Sequence, residues 1–357
     1  MSNYVPFLKF KVNEVAALKA LDNSLKEKIT PFFDFPKKED GTTEIKLKAS
    51  VDASYRKYEI NMKCLPFFYL DNYDIEDSLK IDGKNNYFYI LEKFSNANFV
   101  PVVGIDRSDD RNNSVFYCKQ RGFIKSNTVA LRVSQDDFFS YDLVEDDIED
   151  LLSKCEGVFD DLHLVIDNRV CGCDVKKTIS EVNDFLVKIN KSYRFSRIIF
   201  AGSSIPASIK DILDPNSEKT IIRKEVEIVK ILKESFDIDF GDYTCVSPDY
   251  SDVKVEGGVF RRITAPKLFY PHDTEKLYII RGGSLDSHPR GNKQYEDLCN
   301  IVVNKSFYRK KQNPSYSFGD DYLLHKSNSN GKDATPSTIP KPLINLHITY
   351  MMKDFMI

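Results

Sequence analysis

The sequence predicts an α/β protein folded as a closed (β/α)8, TIM-barrel-like domain, and three observations predict it. Short apolar or β-branched runs of five to eight residues alternate with amphipathic stretches of helical spacing. A helix-length segment separates each run from the next, as parallel neighbours require, because their crossover connections are long. The runs are nearly continuous in apolar residues, as in FVPVV and RIIFA, which is how strands covered on both faces read. Eight runs favour a closed barrel. An open doubly wound sheet is the alternative.

In chain order, YVPFLKFK (4–11) reads as the first strand and 13–29 as a helix with Asn13 as its N-cap and Val15, Leu18, Leu21 and Leu25 on one face. ITPFFDFP (29–36) is the second strand, ended by Pro36. Helix 51–65 leads to strand 66–71, helix 87–96 to strand 99–106, and helix 114–125 to strand 128–133. Helix 144–156 leads to strand 162–167, helix 175–189 to strand 196–204, and helix 221–236 to strand 239–246. Beyond residue 250 the alternation stops. A hairpin at 267–283 turns at HDTE, a helix spans 293–304, and an irregular tail (316–352) carries a polar loop between two apolar segments. These readings divide the chain into a barrel-like domain, residues 1–310, and a C-terminal extension, residues 311–357, packing on it.

Composition narrows the class. Of the 357 residues, 41% are hydrophobic and 29% charged, the balance of a chain with a real core. The 51 basic and 54 acidic residues are well mixed and leave a formal charge of -3, which argues against a protein dedicated to nucleic acid along a broad basic face. The opening stretch MSNYVPFLKFKVNEV lacks a signal-peptide apolar core, and no run approaches the about 18 apolar residues of a membrane helix, so no membrane association and a cytoplasmic location are expected. Seven cysteines fall without a framework, and the close pair in VCGCD has no second pair or histidines at zinc spacing, so reduced thiols are expected.

The strand ends carry the functional signal. Apolar runs stop at Lys9, Asp34, Asp71, Asp106 with Arg107, Arg132, Asp167 with Arg169, Ser203 with Ser204, and Asp242. In a barrel these positions converge on one mouth, where barrel enzymes place their chemistry. Asp34, Asp71, Asp167 and Asp242 are the expected ligands of a hard cation such as Mg2+ or Mn2+. Asp71 and Asp167 are the expected catalytic residues, as metal ligands or general base. Lys9, Arg132, Ser204 and Arg281 are the expected anion-binding residues, with arginine able to grip phosphate or carboxylate through two N–H groups. That set suits metal-assisted attack on a phosphoester. The competing reading of each acid is a helix cap or a structural ion pair. IRGGS (280–284) reads as a tight turn, GSSIP as a strand end with a turn, EDDIED (145–150) as the start of a helix, and His347 in NLHITY as a packed or locally bonded side chain.

The opening YVPFLKFKVNEVAALKAL with ITPFFDFP, then ALRV, LVIDNR, the serine and proline of GSSIP, GDY (241–243), YIIRGG, SYSFGDDY and LHITY, together resemble the Beta protein family of bacterial and phage proteins. The resemblance spans nearly the whole chain. It implies a barrel-like α/β fold and a setting in mobile elements or antiphage defence, and it brings no settled chemistry. One departure is Asp34, where glutamate is expected in that family. The resulting expectation is a defence-system barrel that binds a phosphate-containing anion, a nucleotide or nucleic-acid end, and acts as a metal-dependent hydrolase. The alternative is a non-catalytic recognition or assembly subunit with a partner protein of the defence system.

Overall fold

A computed structural model describes residues 4–249, 264–309 and 316–355. Eight parallel strands close a barrel in the order β1 (Tyr4–Lys9), β2 (Phe32–Asp34), β3 (Phe68–Asp71), β4 (Phe99–Val103), β5 (Thr128–Val133), β6 (Asp161–Val170), β7 (Arg197–Ser203) and β9 (Asp239–Asp242), which pairs back onto β1. All eight lie within or across the runs read from the sequence. Between them stand α1 (Val12–Lys19), α2 (Asn23–Lys26), α3 (Glu44–Asn61), α4 (Asn86–Lys93), α5 (Asp109–Gln120), α6 (Gln135–Phe139), α7 (Tyr141–Glu156), α8 (Val175–Ser192) and α9 (Lys224–Leu232).

Residues alternate across the barrel wall, because successive strand side chains point to opposite faces. Val5, Phe7, Phe32, Tyr69, Val100, Val102, Ala130, Val165, Ile199, Ala201 and Tyr243 fill the lumen as a cluster separate from the larger core under the helices. Phe7 stacks on Phe32 with ring centroids 4.4 Å apart. Gly241 is required beside them, since a Cβ there would lie 2.8 Å from Phe7 Cε2 and 3.2 Å from the Ala201 Cβ.

Local chemistry sets the helix starts. Thr43, Ser108 and Asp174 accept hydrogen bonds from the backbone N–H three residues on, and Ser134 with Asp137 forms a reciprocal capping box. The expected helix 13–29 is instead two, broken between α1 and α2, where Asp22, Asn23 and Ser24 favour cap and turn conformations over helix interior. Asn13 does not cap α1; its side chain donates to Ser337 O, 3.0 Å away, and Lys11 occupies the cap position. Helix α3 starts seven residues before the expected 51, because exposed Ile45 among lysines blurs its period.

The larger difference is β8 (Ser217–Ile222), whose last two residues fall in the expected helix 221–236. It forms an antiparallel sheet with the expected hairpin, β10 (Lys267–His272) and β11 (Lys276–Arg281), in the order β10-β11-β8. Its β-branched Thr220, Ile221 and Ile222 suit a strand, but the partner lies more than fifty residues further along the chain. The turn of the hairpin places Asp273 and Thr274 at φ +45° and +46°, in the left-handed region. Helix α10 (Gln294–Asn304) follows. The tail is more regular than expected: α11 (Phe318–Ser327) and α12 (Pro340–Lys353) flank the polar loop. Helix α12 lies against α1, where Asn345 Nδ2 donates to Ala17 O at 3.1 Å. The expected boundary between residues 310 and 311 lies outside the described residues.

Candidate functional site

Strand register brings the charges together. Lys9 pairs across the sheet with Asp34, and Asp34 with Asp71, so three ionisable residues stand in one row at the carboxyl ends of β1, β2 and β3. Arg132 enters from β5 and Asp167 from β6. The Arg132 guanidinium, 2% exposed, sits among the three aspartates. Its Nη1 donates to Asp34 Oδ1 and Asp71 Oδ2, each at 2.8 Å, and its Nε and Nη2 donate to Asp167 Oδ2 at 3.1 and 2.5 Å. Arg107, from the loop after β4, grips Asp71 through two parallel bonds of 2.7 and 2.8 Å. Lys9 bridges Asp34, at 3.2 Å, and Asp74. Tyr243 donates to Asp167 at 2.7 Å.

Aromatic rings sandwich the central cation. Phe32 lies beneath Arg132 at 5.2 Å and Tyr73 above it at 4.2 Å, and Arg169 lies over the same Tyr73 ring at 5.1 Å. Arg169 is thrown over the mouth by an irregularity in β6 between Asp167 and Val170, where it adopts φ +46° and its N–H bonds Asp167 Oδ1 at 3.0 Å. Its side chain ties down Asp249 and Pro248 O.

These contacts decide the protonation states. Burial would raise the Asp71 carboxyl, but Arg107 and Arg132 outweigh it and hold it well below the usual carboxylate range. Asp167 is likewise held down against burial, by Arg132 and Arg169. Burial, then the charge of Asp167, pushes the Tyr243 phenol up, so it stays a donor. Carboxylates held ionised this firmly are poor proton acceptors at neutral pH.

The other expected site residues lie elsewhere. Along β9, Gly241 and Tyr243 face the lumen, whereas Asp242 faces outward, under the helices. There Asp242 accepts from Tyr4 Oη (2.8 Å), Arg223 Nη2 (2.5 Å), His347 Nε2 (2.7 Å) and Thr244 N (2.9 Å). Against the effect of burial, His347 and Arg223 hold its carboxyl well below the usual range. Ser204 joins this second network by donating to Glu225 Oε2 at 2.5 Å, and Glu225 in turn accepts from Arg223 Nε at 3.0 Å. His347 is therefore a long-range partner brought by α12, not a locally bonded residue. Arg281 belongs to the three-stranded sheet. In the IRGGS turn, the Gly283 N–H is taken by Gln294 Oε1 at 2.8 Å.

Of the expected residues, the structure thus assembles Lys9, Asp34, Asp71, Arg132 and Asp167, and separates Asp242, Ser204 and Arg281. Arg107 and Arg169, also expected at strand ends, reach the same mouth, and the structure adds Tyr73, Asp74 and Tyr243 there and Arg223 and Tyr4 to the outer network. Tyr243 was visible beside Asp242 in GDY; Arg223 was hidden by reading its surroundings as helix.

The three mouth aspartates do not fit a divalent cation in this arrangement, since Arg132 stands at their meeting point. Among the described residues no group of three or more His, Cys, Asp or Glu side chains is disposed to hold a metal ion. The described residues also contain no helix long and apolar enough to cross a membrane, and the cysteines among them are free.

Comparison with known proteins gives one positive result. No curated protein matches the sequence. The Beta protein family profile matches residues 4–353, nearly the whole chain, and this protein belongs to the Beta protein family.

Proposed function

We propose that this barrel is a non-catalytic recognition or assembly subunit acting in conflict between bacteria and phage or in a mobile element. One observation carries the non-catalytic part: the Arg132 guanidinium is bonded to Asp34, Asp71 and Asp167 at once. The groups that a hydrolase would use are spent on one another, and Asp71 and Asp167, held below the usual carboxylate range, lack the raised pKa of a general acid or base. The setting is carried over from the family resemblance, and a partner protein of the defence system is the expected ligand. The rival reading is metal-dependent phosphoester cleavage with Mg2+ or Mn2+ on a nucleotide or nucleic-acid end. It is favoured by the convergence of three buried aspartates and requires Arg132 to leave them.

Thermal denaturation separates the two, because a ligand that binds only the folded state must raise its apparent stability. The wild type should melt at the same temperature in Mg2+, in Mn2+ and with a nucleotide panel as in ionic-strength controls. A divalent-specific rise that disappears in Asp167→Asn would overturn the non-catalytic reading and make turnover assays the next step.

A further inference from the structure

Lys267 and Arg281 stand directly opposite each other where β10 pairs with β11. Cross-strand partners share a face of the sheet, and like charges placed there repel. Arg281 keeps its charge at any physiological pH, and its Nη1 is fixed on Leu213 O at 2.6 Å. Lys267 is therefore the member that can relieve the repulsion, by releasing a proton.

Its surroundings favour the same outcome. Lys267 and Phe269, two residues apart on β10 and so on one face, both line a cavity of about 290 Å3, and Lys267 Nζ lies 5.9 Å from the centre of the Phe269 ring. Among the described residues, Tyr295 of α10, Leu343 of α12 and Ile205 from the loop after β7 add apolar wall. Cys245, from the segment after β9, lines the same cavity, and burial pushes its thiol up to about 12, so it carries no charge at neutral pH. Burial lowers the Lys267 pKa, Cys245 opposes this only when ionised, and Arg281 adds to the lowering. A lysine desolvated among apolar groups and set beside a second cation is an activated amine, because only its neutral form is a nucleophile.

We propose that this cavity is a carbonyl-binding site, in which Lys267 Nζ forms an imine with an aldehyde or ketone carried on a compact apolar body. The amine lone pair makes a C–N bond to the carbonyl carbon, and the carbonyl oxygen leaves as water with the two amine protons. The step consumes no oxidant or reductant and reverses by hydrolysis. Lys267 lies on no barrel strand and uses none of the residues bonded at the mouth, so the site stands or falls separately from the proposed function.

The test uses the wild-type full chain, with benzaldehyde as probe and sodium cyanoborohydride to fix any imine as a secondary amine. Peptide mass spectrometry then assigns the labelled lysines. At neutral pH Lys267 should label about tenfold or more faster than the exposed Lys125 and Lys176, since a supply of neutral amine and binding of the probe act together. Its labelling should saturate with benzaldehyde and yield to benzyl alcohol, the same apolar body without the carbonyl. Labelling of Lys267 no faster than that of Lys125 and Lys176 overturns the proposal. So does fast labelling that neither saturates nor yields to benzyl alcohol, because it marks a reactive amine without a binding site. In Lys267→Met the saturable component should disappear while the rates at Lys125 and Lys176 stay unchanged, and its persistence would overturn the assignment to Lys267.

Discussion

Replacing Arg132 with methionine tests the account of the barrel mouth most directly. The substitution keeps an unbranched side chain between Phe32 and Tyr73 but removes the guanidinium bonded to Asp34, Asp71 and Asp167. Asp71 retains its paired bonds from Arg107 and Asp34 its bond from Lys9, whereas Asp167 keeps only neutral donors and the more distant Arg169. Breaking one member out of a buried ion pair costs about 3–5 kcal/mol. With an unfolding entropy of about 2.1 cal/mol/K per residue, that loss lowers the midpoint of this 357-residue chain by about 4–7 °C. Calorimetry at neutral pH reads the shift.

The pH dependence adds a second, sharper criterion. In the wild type, Asp71 and Asp167 have folded pKa values below their unfolded ones, so their stabilisation is present above the ordinary carboxylate pKa, about 3.9, and is lost as pH falls through the folded values. In Arg132→Met, burial and mutual repulsion should raise the freed carboxyls instead, so the variant gains stability as it takes up protons. The gap between the two proteins should therefore narrow as pH falls from neutral toward about 4.5. A midpoint within about 1 °C of wild type at neutral pH, or a gap that does not change with pH, would refute a charge-locked mouth.

Three further outcomes follow from the packing. Removing the imidazole in His347→Ala, which takes one of four hydrogen bonds from the buried Asp242 carboxylate, should cost about 1.5–3 kcal/mol in urea unfolding, and no measurable change would place that network outside the folded core. Gly241→Ala should cost about 1–3 kcal/mol by driving a methyl into Phe7, whereas a neutral result would mean the lumen can relax at that level. His163 at the opposite end of the barrel bonds Tyr69 Oη through Nδ1 at 2.7 Å, and burial lowers its pKa to about 4, with Asp161 opposing. Its folded value lies below the unfolded one, so stability should fall as pH drops below about 6.5 toward the folded value, and its ring resonances should begin to shift only as pH nears that folded value; a titration near 6.5 would contradict this.

Much of the barrel was legible because each strand is an uninterrupted apolar run and each connection is long enough for a helix. The row Lys9, Asp34, Asp71 was legible for the same reason, since each residue ends a run. What could not be read was facing. Asp242 ends its run as Asp71 does, but the short strands carry no marker of which residue starts inward, and a shift of one residue sends the side chain to the other side of the wall. Pairing at a distance was equally hidden: β8 resembles the first turn of α9 until β11 comes to lie beside it. The sequence presents the carboxylates as free to hold metal because strand ends reveal which charges are near one another, not how many arginines arrive to meet them. Arg107 stands at the end of its run in the sequence, but its aim at Asp71 does not show there, and Asp74 comes from a loop, where no periodicity announces direction.

The contact between His347 and Asp242 gives vectorial synthesis a particular order. Strand β9, which closes the barrel against β1, leaves the ribosome about a hundred residues before α12 does. During that interval Asp242 has Tyr4 and Arg223 but not its imidazole, and α1 lacks the side chain of Asn345 against Ala17. The seam of the barrel is thus completed by an element made well after the two strands that meet there. A nascent barrel should stay open to proteases and chaperones until α12 docks, and docking joins both sides of the seam into one cooperative unit.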